Sequence, residues 1–165
     1  MAAHLADQGF AVHSLSDIVR EAAAQRGLPP EREHLIRVGN LLRREGGHGV
    51  LAARLLARLG RRDVVDSIRH PEEVAVLRSL PRFVLVGVTA PLETRFRRSL
   101  ARARPGDPLS LEAFRQREEQ ENSADPGSQQ LEATFRLADR IVENGGDLAA
   151  LRGQIDRELA VCAAS

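Results

Sequence analysis

The chain has 165 residues, 42% hydrophobic and 28% charged, enough for one domain with a buried core. Its formal charge is +1, so no net field draws it to nucleic acid or to a membrane surface. Aromatic residues are 3%, with no Trp or Tyr, which removes the usual base-stacking platforms, and the single cysteine, Cys162, rules out an intrachain disulfide framework.

The opening MAAHLADQGF reads as a helix running to a Gly-Phe pair. Residues 12–14 form a short strand candidate after Gly9, and Ser14 or Ser16 can cap the helix that follows to Gly27. LPPEREHLIRVGNLLRREGG puts prolines at a helix start and glycines at its end. A further helix spans about 49–59. RRDVVD is a short apolar run ending in a carboxylate, and HPEEVAVLRSL is a helix with Pro71 in its first turn. RFVLVGVTA, residues 82–90, is the clearest strand. Its unbroken apolar run predicts a parallel sheet covered on both faces. PLETRFRRSLARAR is a basic helix that PGDP breaks. LSLEAFRQREEQEN and QQLEATFRLAD read as helices around a loop at ADPGS, and RIVENGG as a last strand and turn before the C-terminal helix.

Strands alternating with helices predict an α/β fold with a mainly parallel sheet. No run is long enough to span a bilayer, and the N-terminus lacks the basic-then-apolar order of a signal peptide. With one cysteine, a reducing cytoplasm is the expected location. The five histidines are scattered without ligand spacing and read as surface or structural residues. All 24 basic residues are arginine. Any mechanism that needs a lysine ammonium cannot run on this chain alone.

Four stretches place polar groups at strand ends, where open parallel sheets bind ligands. In SLSDIVR, Asp17 and Arg20 lie in the first turns of a helix, where backbone amides favour an anion and a guanidinium forks onto phosphate oxygens. Equally, Asp17 suits a helix start and Arg20 a solvated surface. In VVDSIRHPEEV, Asp66 closes a strand and Arg69 follows in the loop; Asp66 holds a metal-bound water, orients an acceptor, or only caps the Pro71 helix. Arg95, Arg98, Arg102 and Arg104 line the basic helix before a Gly-Pro break, as a flap over phosphates or as an ordinary charged face. Asn144 and Gly145 leave the last strand, in a plain turn or against a purine edge.

In this order, the stretches resemble the P-loop nucleotide kinases, near the nucleoside monophosphate kinases and the dephospho-coenzyme A kinases, and most of all a dephospho-CoA-kinase-related group known from archaea. SLSDIVREAAAQRGLPPEREHLIRVGNLLRREGGHGVLA, VVDSIRHPEEV, FVLVGVTAPLETRFRR, RPGDPLSLEAFRQREEQE and LADRIVENGGDL carry the likeness. It implies a three-layer α/β sandwich, an acceptor-binding helical part at about 14–60 and a lid at about 95–120. Asp17, Arg20 and Arg69 would face the phosphoryl acceptor, and Asp66 would stand at the Walker-B-like position. Arg102 and Arg104 would aim at the transferring phosphate, and Asn144 and Gly145 would lie on the adenine side. ATP and magnesium are the implied cofactors, and a nucleotide or nucleotide-like molecule the implied partner. Ser67 and Ala103 stand where the family has Gly, His70 stands for Asn, and ENSADPGSQQ matches poorly a Gly-Ile-Gly run.

The same resemblance implies a strand and a G-x-x-x-x-G-K-[ST] loop ahead of the opening helix. Their amides, Lys and hydroxyl would hold phosphates and magnesium. That strand would be central, between the strand ending at Asp66 and RFVLVGVTA. Without it, unpaired ladder groups cost about 1–3 kcal/mol each in a dry interior. Three outcomes are expected: a natural chain that starts further upstream, which is favoured; direct closure of the two flanking strands; or a strand from another chain. The expected function is ATP-dependent phosphoryl transfer to a nucleoside monophosphate or dephospho-CoA-like acceptor, with little turnover from these residues alone. The alternative is a non-catalytic domain that binds nucleotide as a sensor or partner module. Nucleic-acid binding through 95–104 is the weakest reading, given the balanced charge and few aromatics.

Overall fold

The structure, a computed structural model, describes residues 1–103, 106–121 and 130–164. Arg104 and nearly all of ENSADPGSQQ lie outside the described residues. The elements in chain order are α1 (Ala2–Asp7), β1 (Ala11–Ser14), α2 (Leu15–Gln25), α3 (Arg32–Gly46), α4 (Val50–Leu56), β2 (Asp63–Asp66), α5 (Pro71–Leu77), β3 (Val86–Thr89), α6 (Leu92–Arg102), α7 (Leu111–Glu121), α8 (Leu131–Phe135), β4 (Arg140–Glu143) and α9 (Leu148–Ala164).

The strands form two parallel pairs. β1 runs beside β2 with Ala11 opposite Asp63 and Ser14 opposite Asp66. β3 runs beside β4 with Val86 opposite Arg140 and Thr89 opposite Glu143. Among the described residues β2 and β3 do not pair with each other, so direct closure of these two strands is not the arrangement adopted. Successive side chains on a strand point to opposite faces. Val65 of β2 packs on a core built by Leu15, Ile18 and Val19 of α2, Val38 and Leu42 of α3, Leu51 and Leu55 of α4, and Leu77 of α5. Its neighbour Val64 packs the other way, with Val86 of β3, onto Leu5 of α1, Val142 of β4, and Leu151 and Ile155 of α9.

Two sequence expectations change here. The strand expected at 82–90 is only Val86–Thr89, and Arg82 takes a left-handed φ of 63° that excludes it from extended backbone. Ahead of the strand, the Leu85 N–H donates to Asp139 Oδ2 at 2.8 Å, and the Leu85 carbonyl accepts from the Asp139 and Arg140 N–H groups at 2.9 and 3.2 Å. The strand is also not covered on both faces throughout: Val88 is 40% exposed although its partner Val142 is buried.

Candidate functional site

The C-terminal ends of β1 and β2 lie side by side, and the polar residues gather there. Ser14 is the N-cap of α2, its Oγ accepting from the Ser16 N–H at 3.3 Å; of the two expected cap residues, Ser14 does the work. The same hydroxyl donates to Ser67 Oγ at 3.1 Å, and Ser67 Oγ donates to Asp66 Oδ1 at 3.0 Å. Asp66 is exposed at the strand end and does not cap α5; His70 does. One turn into α2, Arg20 Nη1 meets Asp17 Oδ1 at 2.5 Å, with both side chains more than half exposed. A pair this open to water contributes little to stability. Its guanidinium keeps further donors for an incoming anion.

Ser67 is left-handed, at φ 61°. That explains why the resemblance has glycine at this position: a residue without Cβ takes this conformation freely. The loop from Ser67 ends in a capping box. His70 Nδ1 accepts from the Glu72 N–H at 3.2 Å, while Glu73 Oε2 accepts from the His70 N–H at 3.2 Å and the Arg69 N–H at 2.7 Å. Pro71 occupies the first helical position, where a missing N–H costs nothing. Glu73 is fully buried, and Arg43 Nη2 from α3 stands 3.5 Å from its other oxygen. Burial pushes the Glu73 carboxyl above its usual range, opposed by the donors from Arg69, Arg43 and His70. His70 stacks on His48 with ring centroids 4.3 Å apart, and burial, then the His48 charge, hold its pKa below the ordinary value.

A second group surrounds α6. Arg95, Arg98, Ala101 and Arg102 line an open cleft of about 550 Å³ with Phe114 and Glu118 of α7. Arg95 is committed: its Nε and Nη2 fork onto Glu118 at 2.9 and 2.5 Å. Arg98 is committed as well, donating to the backbone oxygens of Asn144 at 2.7 Å and Gly146 at 3.3 Å. Gly145 lies between them, where a Cβ would come within 3.2 Å of Pro91 Cδ. The Asn144 N–H donates to Thr89 O at 2.7 Å, extending the β3–β4 pairing. Arg102 ends α6 with its side chain exposed. Ala103 follows at φ 46°, the second left-handed residue at a position where the resemblance has glycine. Replacing Ala103 with glycine is expected to raise stability by about 0.5–1 kcal/mol in urea unfolding, because the strained cap relaxes.

The expected site residues therefore form two groups. Asp17, Arg20 and Asp66 stand at the β1–β2 end, with Arg69 on the adjoining loop. Arg102, Asn144 and Gly145 belong to α6 and the β4 turn, and Arg104 lies outside the described residues. Sequence reading passed over Ser67 as a hydroxyl bridge, Arg98 as the tie to the Asn144 turn, and the buried Arg43–Glu73 pair. The spacing His70-x-x-Glu73 was the available signal for the last of these.

The described residues hold no group of three or more His, Cys, Asp or Glu side chains able to bind a metal ion. Asp66 with the Ser14 and Ser67 hydroxyls is a one-carboxylate set. Magnesium meets such a set mainly through water and substrate phosphates, so these residues fit a shared magnesium. They do not fit a triphosphate cradle, since the chain has no lysine and GGHG precedes α4 from a helix, not from a strand. No helix among the described residues is long and apolar enough to cross a membrane.

No protein-family profile matches the chain. A UPF0200 protein of Hyperthermus butylicus is 44% identical over 114 residues, covering 67% of this chain and 61% of the relative. Over that stretch the chain spans about three-fifths of the relative's length. A UPF0200 protein of Aeropyrum pernix is 34% identical over 159 residues, 93% of this chain and 82% of the relative. Among solved structures, TT1252 from Thermus thermophilus superposes with a TM-score of 0.60 at 24% identity, over 96% of this chain and 88% of that one. The likeness is one of fold: mixed α/β with small parallel sheets. With the sequence likeness to the Aeropyrum protein running nearly end to end, this chain belongs to the UPF0200 family.

Proposed function

We propose that the chain is a nucleotide-kinase-like domain, located in the cytoplasm, whose residues grip an anionic nucleotide or nucleotide-like acceptor. The acceptor class is a nucleoside monophosphate or a dephospho-CoA-like molecule, and the proposed reaction is ATP-dependent phosphoryl transfer with magnesium. In this reading the strands belong to a three-layer sandwich whose central strand would lie between β2 and β3. The observation that carries the reading is the β1–β2 end. Two parallel strands finish together at Ser14 and Asp66, beside the α2 start with Asp17 and Arg20 and the loop with Arg69. Strand ends of this kind, next to a helix start, favour phosphate by amide donors, dipole and guanidinium together.

In this reading Arg20 and Arg69 neutralise and orient the acceptor phosphate. Asp66 orients the attacking oxygen or a magnesium-bound water, and Arg102 with Arg104 covers the transferring group. Asn144 and Gly145 contact a base edge. A coupled ADP-release assay on these 165 residues is expected to show little turnover, because no residue present replaces the phosphate-loop lysine. Binding is expected all the same. Calorimetry with AMP, CMP and dephospho-coenzyme A should find one ligand that Arg20→Ala weakens about tenfold, the loss of one charge-assisted contact. No binding by any of the three, or equal binding by Arg20→Ala, removes the reading. The second reading, a sensor or partner module without catalysis, is favoured by the absence of lysine; it gives the same binding with no turnover even when an intact phosphate loop is supplied.

A further inference from the structure

Glu73 is the least expected residue in the molecule: a carboxylate with no exposed surface, on a helix whose neighbours Val74 and Leu77 face the core. Carboxylates are almost never buried completely unless paired and hydrogen-bonded. Here the arrangement is specific. Glu73 Oε2 takes the N–H groups of Arg69 and His70 at 2.7 and 3.2 Å, and Oε1 faces Arg43 Nη2 at 3.5 Å. The acid thus binds the loop's backbone on one side and α3 on the other. The loop it holds begins at Ser67, whose left-handed backbone fixes the chain's exit from β2, and carries Arg69 between the two restraints. A capping box alone needs only the His70 N–H; the shorter bond goes to Arg69.

We infer that Glu73, tied to Arg43, is a positioning residue that sets the Arg69 loop for an anionic acceptor, so that α3 and the acceptor-binding loop move as one unit. The inference rests on the acceptor reading of Arg69 given above. Its physical content is preorganisation: a guanidinium whose backbone is already fixed loses less freedom when it closes on a phosphate. Removing Arg43 together with Glu73 leaves no uncompensated buried charge, so the double replacement costs less stability than removing either charge alone, and affinity measured on folded protein separates a structural role from a positioning one.

The test uses the full chain, with AMP, CMP and dephospho-coenzyme A as probes in calorimetry. Variants are Arg69→Ala, Glu73→Gln and the double replacement Arg43→Met with Glu73→Leu. For the ligand that binds, the double variant, which leaves the Arg69 and His70 amides without their acceptor, is expected to unfold at lower urea than the wild type; measured where it is folded, its affinity falls about tenfold, as far as that of Arg69→Ala. Glu73→Gln, which keeps one acceptor oxygen, should lie between. Backbone hydrogen exchange gives a measure that needs no variant to fold. The Arg69 and His70 amides of the wild type should exchange about 100-fold more slowly than that of Ser67. Wild-type binding with undiminished affinity in either folded Glu73 variant overturns the positioning role while leaving the acceptor reading intact. Exchange of the Arg69 amide as fast as that of Ser67 overturns it as well. If the wild type binds none of the three probes, the acceptor reading fails and this inference falls with it.

Discussion

Replacing Leu42 with alanine is expected to destabilise the protein by about 2–5 kcal/mol, the range for a large aliphatic side chain removed from a core that cannot collapse around the void. Leu42 is 0% exposed and lies on α3, in the cluster where α2, α4 and α5 also meet. These helices carry part of the β1–β2 group and the pair that braces it. α2 starts with Asp17 and Arg20, α3 carries Arg43, and α5 carries Glu73. For a domain of this size the loss corresponds to a drop in melting temperature of roughly 5–15 °C. Urea and thermal unfolding check it. A change below about 1 kcal/mol would mean that α3 is not anchored through Leu42. The effect on ligand affinity is expected to be small at temperatures where the variant is folded, because no atom of Leu42 belongs to the site.

Much of this architecture was legible. Pro29 and Pro30 before α3, Pro71 at the start of α5 and glycines after α2 and α3 punctuate the chain as capping and turn chemistry predict. The run at Val86 to Thr89 is a parallel strand, as its continuous apolar composition suggested. What sequence did not carry is pairing. Nothing in AVHS or DVVD tells that Ala11 sits opposite Asp63, since register between strands some fifty residues apart is a tertiary fact. The expected strand start failed at Arg82, whose left-handed backbone no propensity for an arginine would suggest. Of the candidate site, the departures from glycine at Ser67 and Ala103 were visible as letters, but only the backbone shows that both are left-handed. Glu73 was hidden because charge patterning reads PEEV as a solvated helix start. One of those two glutamates is buried, and the burial follows from α3 supplying Arg43 across the core.

Acidification from pH 7 to pH 5 is expected to cost the wild type about 1–2 kcal/mol of stability through His70 alone, the scale of losing an N-cap. His70 Nδ1 accepts from the Glu72 N–H, so the neutral ring carries its proton on Nε2. Protonation fills Nδ1 and breaks the cap. It also puts a second positive charge near Arg43, inside a site where His70 is 4% exposed and stacked on His48. Burial is the main reason that the folded pKa lies below the ordinary 6.5, with His48 and Arg43 acting in the same sense and Glu72 against it. The unfolded chain therefore binds more protons in the interval from 6.5 down to the folded pKa. The stabilisation is complete above 6.5 and is lost as pH falls through that interval. Glu73 works in the opposite direction: burial raises its pKa, so its contribution grows as pH falls from that raised value toward 4.5. Exposed Glu21, whose pKa its hydrogen bond from Arg58 lowers, responds only below 4.5. His70→Asn separates these contributions. Asparagine is a good N-cap and does not titrate, so the variant keeps the α5 start and the Glu73 term but loses the histidine term. The difference between the two stability curves, measured by urea unfolding at half-unit steps from pH 5 to 7.5, should be flat above pH 7 and should favour the variant increasingly below it. Parallel curves would mean that His70 binds its proton without leaving the cap, and the buried imidazole would then have to be satisfied by a partner other than the Glu72 amide.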